Sequence, residues 1–254
     1  MMGFRKTEEQ RLLLDSVDRM MARHLPPGEV RRRDAEADPP EHLLPVMADM
    51  GLLGLAAPQA RGGQGSDWQT MSHVQERLGY HATMAAILFN RVTCFGIMTL
   101  LTSGSDAQRD AFLPRMLAGE GAFALALTEP GAGSDAGALA TRARRDGAGW
   151  RITGLKHWIS GAASALRLVV AARTDSGIIL FLVPPDAPGV SLTRLDKIGN
   201  RCSLTYEVAF DDVAVPLDAL LGPEGKGFGC LKKTLFYGRT GLAAAVVGTA
   251  QAAV

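Results

Sequence analysis

The spacing of apolar residues changes near residue 120, and this change limits the fold more than any other feature of the sequence. Before that point apolar residues recur at helical spacing. From residue 121 they alternate with period two between frequent turns, and successive short strands without intervening helices favour a β-barrel or sandwich. The sequence therefore predicts an α+β fold. We expect an N-terminal all-helical domain over residues 1–120, a middle β domain over residues 121–224 and the start of a C-terminal helical domain over residues 225–254.

Several predicted helices have clear start signals and apolar faces. Thr7 with Gln10, and Ser105 with Gln108, have the spacing of capping boxes. The apolar faces of three helices consist of Leu13, Val17, Met20 and Met21; of Leu43, Val46, Met47 and Met50; and of Trp68, Met71, Val74 and Leu78. The basic run at residues 31–33 is followed at once by acidic residues, and we interpret it as a solvated loop.

The β domain is predicted from alternation and turn residues. Asp146-Gly147 marks a hairpin between residues 138–145 and the strand that contains Trp150. Further strands are predicted at residues 166–172, 178–183, 190–195 and 205–210. The chain then becomes helical again from about Phe228.

Composition excludes several classes of function. The net charge is +1, and acidic and basic residues are well mixed along the chain. We therefore expect no positive potential that would favour binding to nucleic acid or to an anionic membrane. The three cysteines and five histidines are scattered, which predicts neither disulfides nor a metal site and fits a reducing cytoplasm. The most apolar stretch, residues 82–101, is interrupted by Asn90 and Arg91, so we expect no membrane span.

The segment TEPGAGSD at residues 128–135 is the first candidate for chemistry. An extended run leads into a Gly-Ala-Gly-Ser turn whose successive amides favour an anion such as phosphate. An ordinary β-turn is the alternative for the glycines alone. The same segment formally satisfies the dinucleotide fingerprint G-x-G-x-x-G/A, but that fingerprint must open a helix in a βαβ unit, and the next element here reads as a strand. Residues 222–227 lack the spacing of a P-loop.

Five segments resemble the acyl-CoA dehydrogenase family, in the family's own order: ALALTEPGAGSDAGALATRA, RITGLKHWISGA, IGNRCS, FDDVAVP and GPEGKGF. The segment ADMGLLGLAAPQARGGQG at residues 48–65 resembles the family's N-terminal glycine-rich segment. This resemblance implies FAD as cofactor, an acyl-CoA or other acyl thioester as substrate and an electron-transfer flavoprotein as electron acceptor. It also implies a homo- or hetero-oligomer.

The resemblance also implies roles for particular residues. Leu125, Ala126, Leu127 and Thr128 would lie along the flavin, with backbone groups and the Thr128 hydroxyl at its polar edge. Gly133 and Ser134 would face the pyrophosphate, and Ser134 would also touch the substrate. Trp158 would pack beside the isoalloxazine ring, followed by Ile159, and Ser160 would direct its hydroxyl toward N5, where the family more often has Thr.

The family's reaction is α,β-dehydrogenation, in which a glutamate removes the α proton while the β carbon passes hydride to flavin N5. Most members carry this base in the C-terminal bundle, and a minority carry it just before an arginine on the first helix of that bundle. Arg239 matches that arginine and resembles the family's substrate-binding residue, but Gly238 precedes it. Phe236 stands where many members have Asp, so the usual contact with CoA is not expected, and the acyl carrier could be a different one.

The sequence therefore offers no catalytic carboxylate, and three hypotheses follow. The apolar, small-residue helix at residues 241–254 needs a covering partner, so we expect a fragment of an acyl-CoA dehydrogenase. The second hypothesis is a flavin-binding or structural subunit of a hetero-oligomer. The third is a flavin oxidase or monooxygenase with the same fold.

Overall fold

A computed structural model describes residues 5–254, and its N-terminal part is helical, as predicted. Both capping boxes form: Thr7 with Gln10 opens α1, and Ser105 with Gln108 opens α7. The helices before the sheet are α1 Glu8–His24, α2 Pro27–Glu36, α3 Leu43–Asp49, α4 Trp68–His81, α5 Thr83–Asn90, α6 Met98–Ser103 and α7 Asp106–Leu117.

The prediction of a loop at residues 31–33 is wrong, because these arginines lie within α2. Pro27 at the first turn starts the helix, and ion pairs one turn apart stabilise it. Arg32 pairs with Glu29 at 2.6 Å and also with Glu36, while Arg33 pairs with Glu29 at 2.8 Å. The alternating charges of this segment therefore form ion pairs along one helix.

A π-helical segment, Arg91–Ile97, joins α5 to α6 without a break. The continuous helix from Thr83 to Ser103 is long and apolar enough to cross a membrane by length and composition, yet 78% of its most apolar window is buried inside the fold. A core helix gives the same signal, so this segment is weak support for a membrane span.

Residues 122–221 form a mixed sheet, and its strands are β1 Ala122–Ala126, β2 Arg142–Asp146, β3 Gly149–Ser160, β4 Ala165–Thr174, β5 Gly177–Val183, β6 Val190–Leu195, β7 Thr205–Pro216 and β8 Leu220–Leu221. The pairing order is β6-β7-β3-β2-β4-β5-β8, and β1 pairs with β4 in parallel. The predicted hairpin at Asp146-Gly147 joins β2 to β3.

The middle of β4, residues 168–172, is apolar because it separates two cores. Leu168 and Val170 point into a core inside the β domain, together with Trp150 and Phe181. Val169, between them, points into the core of the helical domain. Strand side chains alternate between faces, so β4 ties the two domains together by burial on both sides.

After the sheet, α8 spans Gly227–Ala253 and packs against α4 and α5. Glycines allow the close approach to α4: a Cβ on Gly248 would lie 1.8 Å from the carbonyl oxygen of Glu76, and one on Gly79 would lie 2.2 Å from that of Ala245. The architecture is thus a helical domain, a middle sheet domain and one long C-terminal helix, which confirms the predicted α+β class.

Candidate functional site

The two segments singled out in the sequence lie side by side. The segment that follows β1 runs past the end of β3, and the amide of His157 donates a 2.8 Å hydrogen bond to the carbonyl oxygen of Thr128. The loop at residues 129–134 closes on itself through a bridge between Glu129 and Ala132. The segment that leads into the Gly-Ala-Gly-Ser turn is therefore adjacent to the part of β3 that contains Trp158.

A buried ion pair fixes this arrangement, and sequence reasoning missed it. Nζ of Lys156 lies 2.7 Å from Oε1 of Glu129 and donates a second hydrogen bond, of 3.1 Å, to the carbonyl oxygen of Leu127. The Glu129 carboxylate also accepts hydrogen bonds from the amides of Ala140 and Thr141, at 2.5 and 2.9 Å. Lys156 is 0% exposed. The pair thus joins three chain segments under the loop.

The electrostatics of this pair follow from its surroundings. Burial acts to raise the pKa of Glu129, but the hydrogen bonds from Lys156 and from the residue 140–141 segment outweigh it and hold the pKa at about 2. Burial lowers the pKa of Lys156 to about 8, which leaves the side chain protonated at neutral pH beside the carboxylate. Both groups therefore carry charge at pH 7, and their attraction offsets part of the cost of removing them from water.

The turn itself is open in front. Gly131, Gly133 and Ser134 are exposed, and a Cβ built on either glycine meets no atom within 4 Å. Within residues 5–254, the amides of Gly133 and Ser134 donate none of the backbone hydrogen bonds. Free amides at an unobstructed turn fit the pyrophosphate of a dinucleotide such as FAD, because successive amide groups bind anions.

Trp158 stands out from the sheet because β3 bulges there. The pairing of β3 with β7 shifts register between Lys156 and Ile159, and Trp158 adopts a left-handed backbone with φ of 62°. Its side chain is 54% exposed, which is unusual for the largest apolar residue of a well-packed strand. The bulge therefore presents a flat aromatic surface to solvent next to Thr128, as the packing of a planar ring would require.

The other residues predicted to contact the flavin differ in whether their side chains are accessible. Ala126 and Ile159 are buried in the β core, so only their backbone groups are free to meet a ligand. Leu127 is 8% exposed, and Leu125 packs against the helical core. Ser160 is partly buried, and its Oγ lies 3.3 Å from Oγ1 of Thr205, within hydrogen-bond distance. The proposed flavin contacts of all these residues stay predictions.

The two residues on α8 lie on its outer face. Arg239 is exposed and Phe236 is 67% exposed, so the substrate contact of Arg239 stays a prediction. Gly238 is buried, and a Cβ there would lie 2.5 Å from the ring of Phe95. The residues of α8 include no Asp or Glu, so this helix supplies no carboxylate base.

No group of three or more potential ligands that could hold a metal ion occurs among residues 5–254. The three cysteines are free and buried. Sequence reasoning had no signal for Glu129 as a structural residue, although it lies inside the TEPGAGSD segment, and Lys156 directly precedes the His-Trp pair.

Comparison with known proteins gives the same two domains. Residues 7–120 match the model of the acyl-CoA dehydrogenase N-terminal domain, and residues 124–213 match that of the middle domain. The chain is 36% identical over 225 residues to the short-chain specific acyl-CoA dehydrogenase of Homo sapiens, covering 84% of this chain and 55% of that protein. It spans little more than half the length of that relative.

Two further relatives are covered over a larger share of their own length. The probable acyl-CoA dehydrogenase YngJ of Bacillus subtilis (strain 168) is 33% identical over 260 residues, covering 100% of this chain and 68% of that protein. The solved structure of butyryl-CoA dehydrogenase from Megasphaera elsdenii superposes with a TM-score of 0.92 at 30% identity, covering 99% of this chain and 68% of that one.

Proposed function

The chain belongs to the acyl-CoA dehydrogenase family, and on that premise we propose that it binds FAD and serves the α,β-dehydrogenation of an acyl-CoA thioester. Members of this family are FAD-dependent. The observation that carries the proposal is the hydrogen bond between His157 and Thr128, which makes the segment before the open amide turn adjacent to the segment with the exposed Trp158.

Bound FAD would supply the hydride acceptor, and the chain's own residues would bind it and orient the substrate. The amides of Gly133 and Ser134 are free to hold the pyrophosphate, and Trp158 offers one wall for the ring. Thr128 and Ser160 would contribute hydroxyls at the polar edge and near N5. Oγ of Ser160 also lies 3.3 Å from Oγ1 of Thr205, so Thr205 is a second hydrogen-bond partner available to this hydroxyl.

The proton of the substrate needs a separate acceptor. A buried carboxylate would have the raised basicity that α-proton abstraction requires. Glu129 does not fit that role, since Lys156 and two amides hold its pKa at about 2. We therefore propose that the carboxylate that accepts the α proton belongs neither to α8 nor to Glu129. It would come either from further residues of a longer protein or from a partner chain. An electron-transfer flavoprotein is the electron acceptor that we propose.

Three outcomes of one experiment separate the alternatives. The protein is loaded with FAD, and its visible spectrum is recorded with a panel of acyl-CoA thioesters, first without and then with oxygen. Bleaching without oxygen uptake supports a dehydrogenase. Oxygen uptake with substrate supports a flavin oxidase or monooxygenase of the same fold. Stable flavin absorption that no thioester bleaches supports a cofactor-binding subunit whose base lies elsewhere.

A further inference from the structure

A cavity of about 230 Å³ lies between the helical domain and the sheet, next to the turn that follows Ser160. Ile87, Leu88 and Arg91 line it from the helical side, and Gly161 and Ser164 line it from the turn between β3 and β4. Its volume equals roughly eight water molecules at liquid density. It is thus large enough for a small organic molecule.

The guanidinium of Arg91 is the unusual part of this cavity. It packs against Gly161 so closely that a Cβ there would lie 2.1 Å from the guanidinium carbon, and it donates a 3.2 Å hydrogen bond to the Gly161 carbonyl oxygen. The Nε atom is buried and has no hydrogen-bond partner within residues 5–254. Arg91 also takes part in none of the ion pairs of that part of the chain.

Arg91 is partly buried, and an anion in the cavity would compensate its charge and supply a partner for Nε. A lysine can lose its proton when buried, but an arginine stays charged, and burying an unpaired charge costs several kcal/mol. Burial lowers the pKa of Arg91, and the carboxylate that acts against this effect, Glu41, is too far away for a hydrogen bond or an ion pair. Glu41 lies at the edge of the same cavity.

The lining selects the kind of anion. One guanidinium supplies a single charge in a planar fork, which matches a carboxylate better than a phosphate dianion. Ile87 and Leu88 offer apolar walls for a short hydrocarbon stem. We propose that this cavity is a binding site for a carboxylate group, held by Arg91 with its stem against Ile87 and Leu88.

The carboxylate has two possible sources. It is either a free short-chain acid or the distal carboxyl group of an acyl thioester whose reacting carbons lie beside Ser160. The second source rests on the proposed function, whereas the first does not. Binding of free acids is therefore tested without flavin, so a failure of cofactor binding leaves this test unaffected.

The test is a calorimetric titration of the purified chain with butyrate, and with butyramide as the uncharged control. We expect saturable binding of butyrate and none of butyramide. Arg91→Gln should weaken butyrate binding at least tenfold. The absence of saturable binding to the unmodified chain, or equal binding by the variant, would overturn the proposal.

A second pair of variants keeps the test decisive if Arg91→Gln does not fold. Ala163 is exposed at the edge of the cavity, so changes there leave the core intact. Ala163→Asp adds a negative charge and should weaken butyrate binding several-fold, while Ala163→Asn, of the same shape, should not. Equal affinities of these two variants would contradict an electrostatic site.

Thioesters then identify the source. The succinyl and butyryl thioesters of N-acetylcysteamine differ mainly in the distal carboxylate. Tighter binding of the succinyl thioester, lost in Ala163→Asp, would assign the site to the acyl chain. Equal binding of the two thioesters, together with saturable butyrate binding, would assign it to free acids.

Discussion

Nζ of Lys156 lies 2.7 Å from Oε1 of Glu129, in an ion pair whose side chains are 0% and 5% exposed. Removing one partner of a buried ion pair leaves the other charge buried and unpaired. This typically lowers the free energy of unfolding by about 3–5 kcal/mol. We expect Lys156→Met to lower the free energy of unfolding by about 3 kcal/mol in urea denaturation. Arg144→Met, which breaks the exposed pair with Asp212, should cost less than about 1 kcal/mol. Similar losses in the two variants would contradict the role of the buried pair.

The same pair predicts an acid-labile contribution to stability. The pKa of Glu129 is about 2 in the folded protein against 4.5 as its ordinary value, so the folded state favours the carboxylate. Its contribution is complete above pH 4.5 and disappears as the pH falls toward 2, which amounts to about 3 kcal/mol. The difference in unfolding free energy between the unmodified chain and Glu129→Gln should therefore shrink across this window. A difference that is constant with pH would contradict the assignment.

Trp158 is expected to carry backbone strain. A left-handed backbone at a residue other than glycine costs of order 1 kcal/mol, because the Cβ crowds the following carbonyl group. Glycine avoids this cost, although it normally destabilises a strand relative to alanine. We therefore expect Trp158→Gly to be more stable than Trp158→Ala by about 1 kcal/mol in thermal or urea unfolding. If Trp158→Ala were the more stable variant, the backbone at residue 158 would not be strained in the way we propose.

Two glycines of α8 provide a matched test of helix packing. A Cβ at Gly248 would lie 1.8 Å from the carbonyl oxygen of Glu76, whereas one at Gly229 meets no atom within 4 Å. Gly248→Ala should push α8 away from α4 and destabilise the protein by about 2 kcal/mol or more. Gly229→Ala should be neutral or stabilise it by up to about 1 kcal/mol. Equal effects would mean that the two helices are not in close contact.

Much of the fold could be predicted because its signals are local. The capping boxes at Thr7 and Ser105 and the turn at Asp146-Gly147 each depend on residues within a few positions of one another. The helix around residues 31–33 was not predicted, because Glu29 and Glu36 come close to Arg32 only once the segment is helical.

The candidate site could be predicted only in part, since its construction depends on distant contacts. Lys156 and Glu129 are 27 positions apart, and nothing in the local pattern joins them. The left-handed backbone of Trp158 arises from the pairing of β3 with β7, and alternation along one strand does not reveal a bulge. Likewise, the contact of the Arg91 guanidinium with the turn at Gly161 joins residues 70 positions apart, and no local pattern reveals it.

We propose that the open turn at Gly133 and the indole of Trp158 form one flavin site. A titration of the folded protein with FAD, followed by tryptophan fluorescence and visible absorption, tests it most directly. The chain has three tryptophans, and Trp68 and Trp150 lie in other parts of the fold. We predict saturable quenching with a protein-bound flavin spectrum, and loss of most of the quenching in Trp158→Phe. A colourless protein in excess FAD, or quenching that Trp158→Phe leaves unchanged, would contradict the account.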